Sequence, residues 1–413
     1  MINRHPISVN GRHYSWPNKP LVVICLDGSE PAYTDEARKL GLMPNLEKLI
    51  EKGGEYRAHS VVPSFTNPNN LSIATGQPPE VHGICGNYLI DPDTGLETMM
   101  NDPKWLRAPT IFAEFQKAGA RILMVTAKDK LRLLLSKGLI YDGSAIAFSS
   151  EKADKATRIE NGIDNPCARW TMPLPDVYSA DLSEFVFSAG VKLIPEFKPD
   201  ITYLSTTDFI QHKYGPTEKG ALDFYAMFDS YIGKLDAMGV TLIITADHGM
   251  NDKHLANGEP DVLYLQDDLD QHFGEGKTKV ILPITDPYVV HHGALGSYAA
   301  IYTYGAEPKA VAKHIATLEG MDAVMEKAEA CQRFGLPLDR TGDVIAVSGG
   351  KNKSKVIGTS RSKHDLSGLD VPLRSHGGIT EQTVPFFINT KSASVPKGLR
   401  NFDAYFVGCS AAE

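Results

Sequence analysis

Short, continuously apolar runs recur along this chain at intervals that leave room for a helix between them, and this spacing restricts the fold more than any other feature. Residues 21–26 form the first run, rich in β-branched side chains and closed by Asp27 and Gly28; residues 121–126, 200–205 and 240–246 repeat the pattern. A strand that is apolar on both faces is buried on both, which is the environment of a parallel sheet covered by helices. The intervening segments have helical spacing: Leu46, Leu49 and Ile50 within 43–52, a second helix over 110–118, and a longer one over about 218–238. Such alternation predicts an α/β fold, a mostly parallel central sheet with helices on both faces. Sheets of this kind bind ligands beyond the carboxyl ends of their strands.

Applied here, that rule gathers polar residues from distant parts of the chain. Asp27 follows the first run, Lys128 the run ending near Thr126, Asp208 the run ending at Ser205, and Asp247 and His248 the run ending at Ala246. Another apolar run, around Val61 and Val62, leads to Thr66, and Pro68 suits the first turn of a helix over roughly 68–76. The Thr66 hydroxyl would then sit at a strand-to-helix corner, at the positive end of the helix dipole, where an anion or an alkoxide is favoured. Alone, such a hydroxyl reads as well as a helix cap as it does a nucleophile. Asp208 and His212 are four apart and share a face if that turn is helical, while His376 precedes the strand-like residues 383–388. Asp27, Thr66, Asp208, His212, Asp247, His248 and His376 together offer the oxygen and nitrogen ligands that suit two zinc-like ions. Taken singly, each has a structural alternative: a turn-capping aspartate, a helix-surface histidine at 212, a turn histidine beside Gly249.

A chain of 413 residues is long for one domain. Residues 1–259 with 370–413 are expected to form the catalytic α/β core, and 260–369 a small inserted α+β cap with a strand over 262–265, a helix over 308–325 and a strand over 343–347. The basic residues 351–355 read as a solvated hairpin tip. A net charge of −8 speaks against nucleic acid or an anionic membrane as partner. Cys25, Cys85, Cys167, Cys331 and Cys409 are widely spaced without a C-x-x-C pair, so they support neither a disulfide framework nor a thiolate zinc site. Residues 1–16 lack the apolar core of a secretion signal and no apolar run reaches a membrane span of about 20 residues, so a cytoplasmic location is expected. His82, beside Gly83, is expected to stabilise a turn; His254, His291 and His292 stay open between lining the site and packing.

The seven ligand positions, in this order, resemble those of the alkaline phosphatase superfamily. Thr66-Asn67-Pro68-Asn69 through Thr75-Gly76, His82-Gly83-Ile84 through Asn87, and His212-Lys213-Tyr214-Gly215-Pro216 are similar to its nucleotide pyrophosphatase/phosphodiesterase branch, which uses threonine as nucleophile. Thr126-Ala127-Lys128-Asp129-Lys130-Leu131 and the segment around His376 resemble the phosphonoacetate hydrolase family within that branch. The resemblance implies an alkaline phosphatase-like fold with two zinc ions per subunit, one on Asp27, Thr66, Asp247 and His248 and one on Asp208, His212 and His376. It implies a phosphothreonine at Thr66, hydrolysed by water on the second ion, with Asn87 binding a phosphoryl oxygen, and a homodimer as the possible assembly. Cleaving a carbon–phosphorus bond expels a carbanion, which an adjacent carboxylate can take up as an enediolate; Lys128 and Lys130 suit the holding of that carboxylate. The expected reaction turns phosphonoacetate into acetate and phosphate. A nucleotide-type phosphodiesterase of the same superfamily, and a catalytically silent metal- and anion-binding module, are the alternatives.

Overall fold

The computed structural model describes residues 5–285, 294–350, 352–364, 366, 369–391 and 395–412; His291, His292 and Lys351 lie outside them. Its central sheet has seven strands, in the order Gly54–His59, Thr383–Ile388, Thr241–Thr245, Leu21–Cys25, Ile201–Ser205, Ile122–Thr126 and Ala145–Ser149. Six run parallel; Thr383–Ile388 alone is antiparallel to both its neighbours. The five strands from Thr241–Thr245 to the Ala145–Ser149 edge are buried at every residue, as their unbroken apolar composition requires.

Two apolar layers flank this sheet. Val22 and Ile24 face Tyr33, Leu46, Phe185 and Phe228, from helices Pro31–Lys39, Pro44–Lys52, Asp181–Phe197 and Lys219–Asp236. Leu21, Val23 and Cys25 face Leu71, Phe112, Leu134 and Tyr405, from helices Thr66–Thr75, Ile111–Lys117, Asp129–Leu135 and Ala404–Ala411. Adjacent residues of one strand thus serve opposite cores, the consequence of a side-chain period of two. Each fully buried leucine, isoleucine or phenylalanine contributes roughly 1.5–3 kcal/mol, so these layers outweigh the weak propensity of five-residue strands.

Three local expectations are corrected. The helix placed at 68–76 spans Thr66–Thr75, making Thr66 its first residue and Pro68 its third, where the missing N–H is still harmless. Val61 and Val62 are not in a strand: Gly54–His59 ends earlier, and the link that follows is held by Asn69, whose Oδ1 accepts from Val61 N at 2.7 Å, and by the pairing of Ser64 with Gly377. Residues 308–325 are not one helix. Pro308–Ile315 is helical, Gly320 turns the chain with φ +88°, and Met321–Glu326 is a strand whose alternating burial shows the period of two.

A second, antiparallel sheet of four strands runs in the order Thr278–Ile281, Tyr298–Thr303, Val344–Ser348, Met321–Glu326. Leu265, Leu269, Val311 and Ala330 of helices Leu265–Phe273, Pro308–Ile315 and Lys327–Phe334 share its apolar cluster, and so do Val62 and Phe65. The link leading to Thr66 is therefore plugged into the second core while its helix belongs to the first.

Candidate active site

The carboxyl ends of four adjacent parallel strands supply Asp27, Lys128, Asp208 and Asp247, and the parallel edge strand Gly54–His59 leads at the same end to Thr66. His376 reaches that end from the other direction: Thr245 pairs with Phe386, so the residues before the antiparallel strand overhang the sheet edge. A cleft of about 360 Å³ opens there, lined by Asp27, Thr66, Asn87, Lys128, Lys130, Asp208, His212 and His376. Asp247 and His248 lie fully buried at its floor.

Two groups of side chains in this set bring ligand atoms within 4.8 Å of one another: Asp208, His212 and His376, and Asp27, Asp208 and His248. Helix Phe209–Lys213 begins just after Asp208, so the expected i, i+4 pair forms, with His212 Nε2 at 2.9 Å from Asp208 Oδ2. His376 Nε2 is 3.7 Å from the same oxygen. His248 Nε2 lies 3.3 Å from Asp27 Oδ1, 3.7 Å from Asp247 Oδ2 and 3.4 Å from Thr66 Oγ1. The His248 and His376 rings stack at 3.6 Å. Gly28 allows this convergence: at φ +69° it turns the chain away from Asp27, and a Cβ there would meet the Asp208 Cβ at 2.9 Å.

The tautomer of all three imidazoles is set by the backbone. Nδ1 of His212 donates to the Arg374 carbonyl at 2.8 Å, that of His248 to Gly249 at 2.8 Å and that of His376 to Ser64 at 2.7 Å. A carbonyl only accepts, so Nδ1 of each ring carries a proton and Nε2 is the nitrogen turned toward the carboxylates. Burial, reinforced by Asp247 and Asp208, pushes the Asp27 carboxyl well above the usual range, and burial likewise raises Asp247. Burial acts upward on Asp208 too, but the His212 imidazole, with smaller help from His376 and His248, holds it well below the ordinary value. Burial and the neighbouring His248 and His212 push His376 far below the usual imidazole value. Asp27 Oδ1 is buried without a hydrogen-bond partner. The orphaned Asp27 oxygen, the upward push on Asp27 and Asp247 and the convergence of three Nε2 atoms mark a set whose mixed nitrogen and oxygen donors fit divalent cations of the zinc type.

The lysine side is built differently. Lys128 caps helix Asp129–Leu135, and Lys130 also reaches the cleft, while Asp129 between them turns back into the protein. Asp129 Oδ1 accepts from Arg132 Nε at 2.9 Å and Ser149 Oγ at 3.0 Å, and Oδ2 from Lys152 Nζ at 3.0 Å. Burial acts upward on this carboxyl, but Arg132 and Lys152 hold it below the usual range, so it stays charged and fixes the turn presenting the two lysines. Asn87 sits in the cleft with its N–H on the Pro283 carbonyl at 2.8 Å and Nδ2 3.4 Å from the Ile284 carbonyl, leaving Oδ1 buried without a partner.

Several contributors are not marked in the sequence. Asn70, one turn after Thr66, donates from Nδ2 to Asp247 Oδ2 and to the Thr66 carbonyl, both at 3.0 Å, and its Oδ1 accepts from Tyr203 Oη at 2.7 Å and Ser205 Oγ at 3.2 Å. Glu381 and Lys253, fully buried and 2.9 Å apart, join the two histidine loops: Gly378 N donates to Glu381 Oε2, and Gly249 N to its carbonyl. Glu151, Val177, Tyr178 and Phe209 also line the cleft. A helical asparagine and aromatic residues of irregular segments have no spacing that separates them from ordinary surface; only the strand-end rule could have pointed to Phe209, which follows Asp208. His82 stabilises a turn, as expected, its Nδ1 accepting from Ile84 N at 3.2 Å, while its Nε2 donates to Ser72 Oγ of the Thr66–Thr75 helix at 2.9 Å. His254 stays outside, its Nδ1 on the Leu255 carbonyl. The basic loop is pinned more than a solvated tip would be, with Lys355 and Ser354 on Asp261 and the Lys353 carbonyl accepting from Lys253 Nζ at 2.7 Å.

Fold and site together define a metallohydrolase of the phosphoryl-transfer type: the chain belongs to the type I phosphodiesterase / nucleotide pyrophosphatase family, whose model matches residues 21–355. More particularly, it is 57% identical to the phosphonoacetate hydrolase of Sinorhizobium meliloti 1021, solved in complex with phosphonoacetate, over 100% of both chains and with a TM-score of 0.96. The resemblance read from Lys128, Lys130 and the His376 segment is borne out at the level of the enzyme that the chain resembles. Human ectonucleotide pyrophosphatase/phosphodiesterase family member 1 is 27% identical over 255 residues, 56% of this chain and 23% of that protein. The chain thus spans about a quarter of the length of that curated relative. Murine ectonucleotide pyrophosphatase/phosphodiesterase 5 shares the fold, with a TM-score of 0.64 at 18% identity over 95% of each chain. Among the described residues no helix is long and apolar enough to cross a membrane.

Proposed function

We propose that this protein hydrolyses the carbon–phosphorus bond of phosphonoacetate, giving acetate and phosphate, through a phosphothreonine at Thr66 and with two zinc ions per subunit. The observation that carries the reading is the presence in one cleft of a buried ligand set, a helix-terminal hydroxyl and two lysines. Asp27, Thr66, Asp247 and His248 would hold one ion, and Asp208, His212 and His376 the other, with Asp208 near enough to His248 to lie between the two groups. Bound there, the ions supply the positive charge that ionises the Thr66 hydroxyl and offsets the dianionic phosphonate.

The residues of the chain account for the remaining steps. Thr66 Oγ1, at the first position of its helix, attacks phosphorus at the positive end of the helix dipole, where the Thr66 and Asn67 N–H groups would receive the phosphoryl oxygens. Asn87, which lines the cleft, adds a side-chain donor to a phosphoryl oxygen. As the P–C bond breaks, its electron pair passes to the methylene carbon and is delocalised into the carboxylate, which Lys128 and Lys130 hold; a proton then yields acetate. Water adds to the phosphothreonine, releases phosphate and restores the hydroxyl. Strands and helices of the 260–369 insertion form a cap that keeps the leaving group small, and Ile284 is its contribution to the cleft. The same resemblance carries a homodimer, and the reading of the N-terminal residues a cytoplasmic location.

Metal-replete protein should release one phosphate and one acetate per phosphonoacetate, stop on chelation and resume with zinc, while Thr66→Ala keeps its metal and loses at least about a thousandfold in turnover. Rapid turnover of a carboxylate-free phosphodiester with no phosphate from phosphonoacetate would overturn the substrate assignment in favour of a nucleotide-type diesterase.

A further inference from the structure

Tyr178 stands in the cleft on an irregular segment between helices Pro166–Trp170 and Asp181–Phe197, and 51% of its surface is exposed. So large an exposed ring is costly to hold still unless something fixes it. Its backbone is fixed by a local turn, in which Tyr178 N donates to Asp176 Oδ1 at 2.8 Å and Ser179 Oγ to the Asp176 carbonyl at 2.9 Å. The ring leans on Phe209, centroid to centroid 6.2 Å, and Phe209 is the residue directly after the ligand candidate Asp208. Over the Tyr178 ring lies the Lys128 ammonium, 5.7 Å from the centroid.

We infer that Tyr178 is a positioning residue which sets the selectivity of this site for carboxylate-bearing substrates by holding the Lys128 ammonium over the cleft. A lysine head on four flexible carbons loses substantial rotamer entropy when it is fixed, and Lys128 shares its turn with a second cation, Lys130. The negative face of an aromatic ring attracts an ammonium without neutralising it, which a carboxylate partner would do. The ring contact itself adds no negative charge to the ammonium that an incoming carboxylate would meet. Because Phe209 backs the ring, the lysine's position is referred to the same loop that carries Asp208 and His212. The inference rests on the reading above that Lys128 receives the carboxylate.

Equilibrium binding separates the two. In metal-replete Thr66→Ala protein, which cannot turn over, the affinities for phosphonoacetate and for methylphosphonate, its analogue without the carboxylate, are measured by calorimetry. Phosphonoacetate should bind more tightly, Tyr178→Leu should reduce that preference roughly fivefold while leaving methylphosphonate nearly unchanged, and Tyr178→Phe, which keeps the ring face, should preserve it. If Tyr178→Leu weakens both ligands equally, or neither, or if Tyr178→Phe behaves like Tyr178→Leu, the positioning role is wrong while the function stands. If the unsubstituted Tyr178 background shows no preference for phosphonoacetate, the assignment of Lys128 to the carboxylate fails and the inference falls with it.

Discussion

Asp27, His212, Asp247, His248 and His376 are no more than 6% exposed, and every one of the three imidazoles is tied by Nδ1 to the main chain; across the same cleft, Lys128 and Lys130 are half-buried and Tyr178 is 51% exposed. One half of the site is a buried lattice of strand ends, the other a helix start and an irregular segment. A ligand set with competing charges has to be assembled before any cation arrives, so its donors need rigid supports. A hand that grips one end of the substrate can sit in softer structure, and changing it changes which leaving group is accepted. On the proposed function, the buried half does the work common to phosphoryl transfer and the softer half grips the substrate's carboxylate.

The sharpest way to break this contrast is Lys128→Ala. It should lower kcat/KM for phosphonoacetate by about a hundredfold or more and leave a carboxylate-free phosphodiester within roughly threefold. Equal losses on both substrates, measured in parallel assays, would mean that the lysine side serves the chemistry common to the family. Next in size is Asn70→Ala, which removes the donor to Asp247 Oδ2 and the acceptor of Tyr203 and Ser205. Metal affinity, read by competition with a chromogenic chelator, should fall about 10- to 100-fold with little change in substrate preference. An unchanged affinity would show that the buried half does not depend on its second layer.

The smallest effect concerns pH. Burial, with a contribution from Arg340, pushes His82 down to about 3, well below the ordinary imidazole value of about 6.5. The unfolded chain therefore binds a proton below pH 6.5 that the folded chain refuses until about pH 3. Stability is lost as pH falls through that window, by at most about 1.4 kcal/mol per unit, or about 2 kcal/mol at pH 5. His82→Gln should be less stable than the parent at pH 8 and lose less on acidification, as seen in melting curves between pH 8 and 5. An identical acid slope in both proteins would remove His82 from the account of how the nucleophile helix is anchored.

The parallel sheet was legible because residues 21–26 are continuously apolar and 121–126, 200–205 and 240–246 are short strand-like runs spaced by helices, and the candidate ligand aspartates were picked out because each follows such a run. His376 belongs to the same logic, one step removed, since it precedes a strand rather than following one. Other features left no comparable trace. Residues 308–325 keep enough helical spacing to read as one helix, and Gly320 alone marks the break. The strand Ala145–Ser149 is short and alanine-rich, and only its neighbours in the sheet make it a strand. Asn70 looks like any polar helical residue until Asp247, 177 positions away, folds onto it. Tyr178 acquires meaning only from Lys128 and Phe209. Periodicity records which face a residue serves, whereas these residues serve partners remote in the chain.

The acceptors for the three imidazoles are the carbonyls of Ser64, Gly249 and Arg374. Every amino acid carries that oxygen, so the histidines are oriented by where the main chain runs and not by the side chains of these three residues, although Gly249 has no room for a Cβ beside Glu30 and the Arg374 side chain is itself bonded to the Gln211 carbonyl. A side-chain scan would pass over the parts that orient the ligands. Replacing an amide by an ester within the peptide backbone would weaken the carbonyl as an acceptor and reach them, because the route of the main chain is itself a working part of this centre.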